Sequence, residues 1–276
     1  MPRAYARIGF VIPLFAAISA LGAIIPSRVT PRTGRENLRL FTYNVHQGFD
    51  NAGLPNAQRI ADVIAATDAD VVTLQETGRG WNLLGGGDLV GYLRWRFPDR
   101  RVLFVPTNGQ LWGNSMITSL PVAHYDGATF SASEAFRYGY IHARLGLNVS
   151  TLDVYGVHLS ADLSTPVEGI RAVQARELVA HDSGTHSIFM GDFNAEPNSP
   201  VIATMKSAGL RDTAEPFGLT NVRTWPARNG QQRLDYVFVT PDLQPVKTQM
   251  LNTTASDHLP IQVDLLYNRP RLAQHR

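Results

Sequence analysis

Between Leu38 and Tyr267 the chain is a succession of short apolar runs, five to nine residues each, separated by segments rich in Gly, Pro, Asn, Asp and Ser. That rhythm constrains the fold more than any other feature. Runs of this length fit buried strands and are too short for most helices. The strand candidates are Leu38–His46, Val71–Thr77, Val102–Pro106, Ser115–Leu120, Tyr140–Leu147, Leu152–Ser160, Ser187–Asn194, Leu234–Thr240 and Ile261–Tyr267.

Helix candidates are fewer. Asn56–Thr67 puts Ile60, Val63 and Ile64 on one face, and Asp88–Phe97, Pro166–Ala180 and Ser199–Ala208 follow; each opens on a residue suited to a helix start. Many strands with a few helices between them predict two packed sheets with helices outside, an α+β layered sandwich. At 276 residues and 44% apolar composition one domain of this kind is sufficient. No cysteine is present, which excludes disulfides, a thiolate nucleophile and any Cys-ligated zinc or iron–sulfur site. Gly85-Gly86-Gly87-Asp88 is no phosphate-binding P-loop, because no Gly-Lys-Ser/Thr follows, and it reads as a loop before a helix.

The first 35 residues differ in character from the rest. Residues 8–25 carry no charge and are flanked by Arg3 and Arg7 before and by Arg28, Arg32 and Arg35 after. As a helix the run would reach about 27 Å, near the lower limit for crossing a bilayer. It reads as an uncleaved membrane anchor or as a signal peptide, with Ala20 and Gly22 offering a cleavage site. The expected organisation is therefore residues 1–35 as anchor or signal plus linker and residues 36–276 as a catalytic domain outside the cytoplasm, membrane-anchored or, after cleavage, secreted. Five of the 25 basic residues fall in this leader, and the other 20 stand against 23 acidic ones. A broad basic face that tracks a phosphate backbone is not indicated.

The polar residues of interest sit at or just beyond strand ends, where a sandwich gathers them into one cleft. They are Thr42-Tyr43-Asn44-Val45-His46, Thr73-Leu74-Gln75-Glu76-Thr77, Gly156-Val157-His158-Leu159-Ser160, Met190-Gly191-Asp192-Phe193-Asn194, Arg233-Leu234-Asp235-Tyr236 and Ser256-Asp257-His258-Leu259-Pro260. Asp192 and Asn194 are two apart, so on an extended segment carboxylate and amide point the same way, a pair suited to activating water. Glu76 is a hard oxygen donor suited to Mg²⁺ or Mn²⁺.

At these segments, from Leu38 to about Leu266, the sequence resembles the endonuclease/exonuclease/phosphatase (DNase I-like) superfamily. Tyr-Asn-Val-His-Gln-Gly, Leu-Gln-Glu-Thr and the Gly-Gly-Asp-Leu segment are most similar to the soluble domain of Cwh43/PGAP2-interacting-type proteins, which act in GPI-anchor lipid remodelling. The resemblance implies a four-layer α/β/β/α sandwich of two mostly antiparallel sheets and a Mg²⁺- or Mn²⁺-dependent phosphoric ester hydrolase. It implies metal ligation by Asn44, Glu76 and Asp257. In its terms Asp192 orients or deprotonates the attacking water, Asn194 holds it in register, His258 contacts the phosphate with Asp235 fixing its ring, and His158 is the leaving-group acid. Two positions depart from the pattern. His46 stands where the nucleases carry a metal-associated Asp, and Leu120 where Ser-Arg-Tyr-Pro-like sequences carry a basic residue; Arg137 is the candidate substrate-binding replacement.

Three functions compete on these residues. The first is hydrolysis of a phosphodiester in a membrane lipid or glycolipid, supported by the apolar leader and the slightly acidic remainder. The second is a secreted or membrane-anchored nuclease with the same site, which a basic groove would favour. The third is a binding module without catalysis, which the joint presence of Glu76, Asp192, Asn194, Asp235, Asp257 and His258 opposes. Specificity is expected in the loops Thr77–Leu89 and Asp126–Arg137, and Trp81, Trp95 and Trp112 are either loop or core aromatics.

Overall fold

The computed structural model describes residues 37–81, 87–133, 135–147, 150–161 and 167–266. The leader with its apolar run, and the part of the glycine-rich segment at 82–86, lie outside the described residues. Among the described residues no helix is long and apolar enough to cross a membrane.

Among the described residues twelve strands form two six-stranded sheets. The first holds β1 (Asn37–Asn44), β2 (Val71–Gly78), β3 (Arg101–Asn108), β4 (Trp112–Thr118), β11 (Gln244–Met250) and β12 (Ile261–Leu266), in the order β11-β12-β1-β2-β4-β3. The second holds β5 (Val122–Thr129), β6 (Gly139–Leu147), β7 (Ser150–His158), β8 (Ser187–Asp192), β9 (Arg211–Asp212) and β10 (Asp235–Val239), in the order β5-β6-β7-β8-β10-β9. Each sheet has a single parallel pair, β1 with β2 and β7 with β8; all other neighbours are antiparallel. Each parallel pair is connected across a helix, α1 (Ala57–Thr67) and α3 (Val167–Val179) respectively, as parallel pairing requires. The other α-helices among the described residues are α2 (Leu89–Arg96) and α4 (Pro200–Ser207), capped by the side chains of Asp88 and Ser199, which accept from Gly91 N and Ile202 N.

The alternation of side chains along the central strands builds the layers. On β1, Leu38 and Leu40 enter the core between the sheets, while Phe41 and Tyr43 face the cluster that holds Ile60 and Ile64 of α1 and Leu89 and Leu93 of α2. On β8, Ile188 and Met190 enter the same central core, while Phe189 packs with Leu178 of α3 and Met205 of α4. Strands buried on both faces read as continuous apolar runs, which is why these stand out in the sequence. Each large side chain so buried contributes about 1.5–3 kcal/mol relative to exposure. The result is the expected four-layer sandwich. Three strands escape the sequence reading, β5, β9 and β11, and all three lie at a sheet edge. β5 and β11 are largely exposed and polar, so no apolar pattern marks them.

Candidate active site

Strand register brings the site together before any side chain is considered. His158 lies opposite Asp192 in the parallel β7–β8 pair, and Asp235 lies opposite Asp192 in the antiparallel β8–β10 pair. Three site residues thus form one row across the second sheet. In the first sheet Asn44 lies opposite Gln75, the neighbour of Glu76, and the segment Ser256–His258 leads into β12, whose first residue pairs with Thr42 of β1.

The backbone is strained where these strands end. Among the described residues seven non-glycine residues have positive φ, and four of them, His46 (43°), Gln47 (60°), Glu76 (56°) and Asn194 (47°), belong to this one place. Such conformations cost of order 1 kcal/mol or more each and persist where the surroundings enforce them, commonly at functional sites. Glu76 also coincides with a register shift between Leu74 and Thr77 in the β2–β4 ladder, and a bulge there re-aims its side chain. Gly191, immediately before Asp192, has φ of 152°, and a Cβ there would meet Val157 O at 2.0 Å; only glycine lets β8 approach β7 at that point.

Asn44 ties the two sheets together. Its Nδ2 donates to Glu76 Oε1 at 3.1 Å and to Asp192 Oδ2 at 3.0 Å, while its Oδ1 accepts from His46 N at 3.0 Å. Asn44 therefore faces both carboxylates with its amide NH₂ and acts as a bridge between them; the oxygen ligation expected of it needs the amide turned over. Gln47 Nε2 donates to the other Glu76 oxygen at 3.2 Å. Asp257 accepts from Trp225 Nε1 at 3.1 Å and from Ser256 Oγ at 3.3 Å, and Ser256 Oγ also donates to Asn44 O. Glu76 and Asp257 remain partly accessible. His46 Nδ1 is buried without a hydrogen-bond partner, 3.8 Å from Asp257 Oδ1.

The other half of the site is buried. His258 Nδ1 is 2.9 Å from Asp235 Oδ2, and its Nε2 is 3.7 Å from Asp192 Oδ2. Burial alone would lower the His258 imidazole, but Asp235 and Asp192 outweigh it and raise the ring to about 10. The Asp192 carboxyl is pushed up to about 7 by burial, with the His258 cation opposing and Asp235 reinforcing. A carboxyl poised there suits a general base at neutral pH. Burial, and then the charge on His258, lower His158 to about 3. Its ring, packed 5.5 Å from Trp112 and 4.9 Å from Tyr138, is neutral. The expected role of leaving-group acid does not suit it in this state, since a neutral imidazole is a hydrogen-bond donor and a poor proton source.

Two further expectations change. Asp192 and Asn194 do not share an extended segment: the chain turns at Asn194, whose N donates to Asp192 Oδ1 and whose Nδ2 donates to Leu159 O. The pair is held by a turn, not by strand alternation. Leu120 follows Thr118, which pairs with Val71 at the end of β2 remote from Glu76; five residues of strand, about 17 Å, separate it from the cleft, so its departure from the family pattern removes no contact there. Arg137, by contrast, is exposed at the site's rim, with Asn108 gripping its backbone N and O and Gly139, two residues on, lying opposite His158. Trp112 is core, Trp81 stacks on Phe136, and Trp95 is an exposed helical residue.

Two donor sets can hold a cation. Asp192, Asp235 and His258 each offer a ligand atom within 4.8 Å of the others, but the His258–Asp235 hydrogen bond already joins two of them as a proton-holding unit. Glu76 and Asp257 offer hard oxygens with accessible faces, which by their chemistry suit a divalent ion; they are linked through Asn44 and Ser256 and do not form a compact group of three donors with His46. Gln47, Ser256 and Trp225 were missed by sequence reasoning. Gln47 lies inside a quoted motif and was within reach of it; nothing in the sequence singles out Trp225.

The family described as Endonuclease/Exonuclease/phosphatase matches residues 41–258. Among solved structures, an endonuclease/exonuclease/phosphatase from Beutenbergia cavernae superposes with TM-score 0.68 at 22% identity, covering 84% of this chain and 72% of that one. A mannosyl-6-phosphatase from Bacteroides thetaiotaomicron gives 0.68 at 15%, covering 83% and 100%. TDP2 of D. rerio, complexed with a single-strand DNA product, gives 0.66 at 17%, covering 84% and 99%. These likenesses establish the fold. A search of curated proteins finds no match, and the narrower likeness to Cwh43-type proteins is not established by these findings.

Proposed function

The chain belongs to the endonuclease/exonuclease/phosphatase family and is a hydrolase, and from that premise we propose that it is a Mg²⁺- or Mn²⁺-dependent phosphodiesterase acting outside the cytoplasm on a membrane lipid or glycolipid. The observation that carries the reading is the junction of partly accessible hard oxygens on Glu76 and Asp257 with a buried Asp192–His258–Asp235 row, bridged by Asn44. Glu76 and Asp257 would hold a divalent ion, which would supply charge neutralisation at the phosphoryl oxygens. Asp192 accepts a proton from the attacking water, and the turn through Asn194 keeps that carboxylate aimed. His258, held protonated by Asp235, sets positive charge against the phosphate. His158, neutral and 3.7 Å from Asp192 Oδ2, backs the general base, and Arg137 is the rim cation for the substrate's anionic end.

The lipid or glycolipid preference is supported by the uncharged run at 8–25 and by the acidic balance of the rest of the chain. The test is to assay the full chain in detergent with Mg²⁺ or Mn²⁺ against phospholipids, glycosylphosphatidylinositols, phosphomonoesters and supercoiled DNA. Turnover of lipid or glycolipid diesters is expected; nicking of DNA alone would replace this reading with a nuclease. For location, the protein is expected to sediment with membranes and to be digested by protease added outside spheroplasts. Complete protection in intact spheroplasts overturns the export proposal.

A further inference from the structure

Two adjoining cavities, one of them opening at Asn194, account for side chains that the chemistry above does not use. One, of about 450 Å³, is lined by Asn194, Arg171, Ser199 and Gln232; the other, of about 490 Å³, by Lys206, Asn221, Arg223, Gln231 and Arg233. Both include Glu196 and Asn198, so they are two lobes of one groove that starts at the hydrolytic centre. Its walls are tied: the single proton of Tyr236 Oη is shared between Ala195 O at 2.8 Å and Arg233 O at 3.0 Å, linking the two loops.

The chemistry of the lining discriminates between ligands. Five amide side chains, Asn194, Asn198, Asn221, Gln231 and Gln232, face the groove, and each carries both donors and an acceptor, the complement of a hydroxyl that both gives and takes hydrogen bonds. Three of the four cations are engaged with acids, Arg223 with Glu196, Arg233 with Asp212 and Lys206 with Glu215, and the fourth, Arg171, donates to Ser160 O. A nucleic-acid strand needs unpaired positive charge and aromatic platforms for stacking, and no aromatic residue is among the described residues lining either lobe; an acyl chain needs continuous apolar walls, whereas Ala161, Ala195, Pro200, Val201 and Leu234 line only the lobe at Asn194 and the other lobe is mostly polar. One donor awaits a partner. Arg233 is 1% exposed, and its Nε is buried with no hydrogen-bond partner, an arrangement costly unless an acceptor oxygen completes it.

We propose that this groove is a subsite for a polyhydroxylated ring, a sugar or an inositol, esterified to the phosphate that the enzyme cleaves. The inference rests on the phosphodiesterase reading for the identity of the bond cut, but the subsite itself is tested by binding alone. Glu196 with Arg223 presents a fixed acceptor–donor pair for vicinal hydroxyls, the amides read the remainder, and Asn194 joins the subsite to the attacking water.

The experiment has two arms on the full chain. In the first, saturation-transfer NMR with myo-inositol and with methyl α-mannoside as probes is run on the wild type and on Asn198→Leu and Gln232→Leu. At least one probe is expected to bind, and each substitution is expected to weaken it by about tenfold, the loss of one or two hydrogen bonds; which probe binds tells inositol from sugar. In the second, the ratio of kcat/KM on a glycosyl or inositol phosphodiester to that on bis(p-nitrophenyl) phosphate is expected to fall by a similar factor. No binding of either probe, or binding that Asn198→Leu and Gln232→Leu both leave intact, overturns the subsite whatever the activity. Binding with no hydrolysis of any diester leaves the subsite standing and defeats the phosphodiesterase reading instead.

Discussion

The two sides of the cleft solve different physical problems. On the first sheet's side Glu76 and Asp257 keep accessible carboxylate faces, with the His46 side chain 36% exposed beside them, so water or a cation can reach them. On the second sheet's side His158, Asp192 and Asp235 are each 1% exposed and His258 is 5% exposed, so every charge there is balanced by another or suppressed. The accessible half is built to hold an ion and the buried half to hold protons. Asn44, reaching from β1 to both carboxylates, couples them, and Ser256 Oγ, which meets Asp257 Oδ1 and His258 N, is a second link.

The sharpest way to break this division is to attack the buried pair. His258→Ala and Asp235→Ala are each expected to cut kcat/KM by about 10²–10⁴, and the double variant by little more than the worse single one, because the two act as a unit. Strictly additive losses in this cycle would show that the 2.9 Å contact between them only shapes the entry to β12.

On the accessible side Glu76→Gln is expected to lose most activity and to weaken Mg²⁺ or Mn²⁺ binding at least about tenfold, while the melting temperature barely moves. The side chain leaves no core cavity, and an amide keeps its volume. A metal titration followed by calorimetry reads both quantities, and undiminished metal affinity would remove Glu76 from the ligand set.

The protonation of the buried side is visible in stability as well as rate. His258 is raised from 6.5 to about 10 in the fold. Its contribution to stability is therefore full below pH about 6.5 and is lost as pH rises through about 10. In metal-free protein the melting temperature is expected to decline between pH 7 and pH 10. In Asp235→Asn the decline is expected to shrink, because the carboxylate that holds the proton is gone. A slope identical in the two proteins would assign the decline to other groups.

The same division explains what the sequence disclosed. Buried strands with two apolar faces, such as β1 and β8, announce themselves, whereas β5, β9 and β11 at the sheet edges carry polar or very short segments and are fixed by pairing with their neighbours and by a few anchors such as Val122, Thr248 and Met250. Residues in motifs at strand ends, Asn44, Glu76, Asp192, Asp235 and His258, were legible because strand order brings them together. Their protonation was not. The neutrality of His158 follows from packing against Trp112 and Tyr138, residues far from it in the chain. The left-handed turn at Asn194 is likewise imposed by the strand ends around it.

Trp225 is the site residue least legible in the sequence and gives the mildest test. It sits in a loop 32 positions before Asp257, and its Nε1 donates to Asp257 Oδ2 at 3.1 Å, fixing one carboxylate oxygen and leaving the other toward His46. Trp225→Phe keeps an aromatic ring near His258, 6.5 Å between centroids in the native protein, and removes the donor. If Asp257 is a metal ligand, loss of this support is expected to weaken metal binding about tenfold, the lower end for removal of a partner that orients a ligand. The loss in kcat/KM should then be largely restored by saturating Mn²⁺. If Asp257 serves only to hold the Ser256–His258 segment in place, added metal restores nothing and the damage appears at the His258–Asp235 pair, as a fall in the apparent upper pKa of the pH–rate profile. The two outcomes assign Asp257 to the accessible half of the cleft or to the buried one.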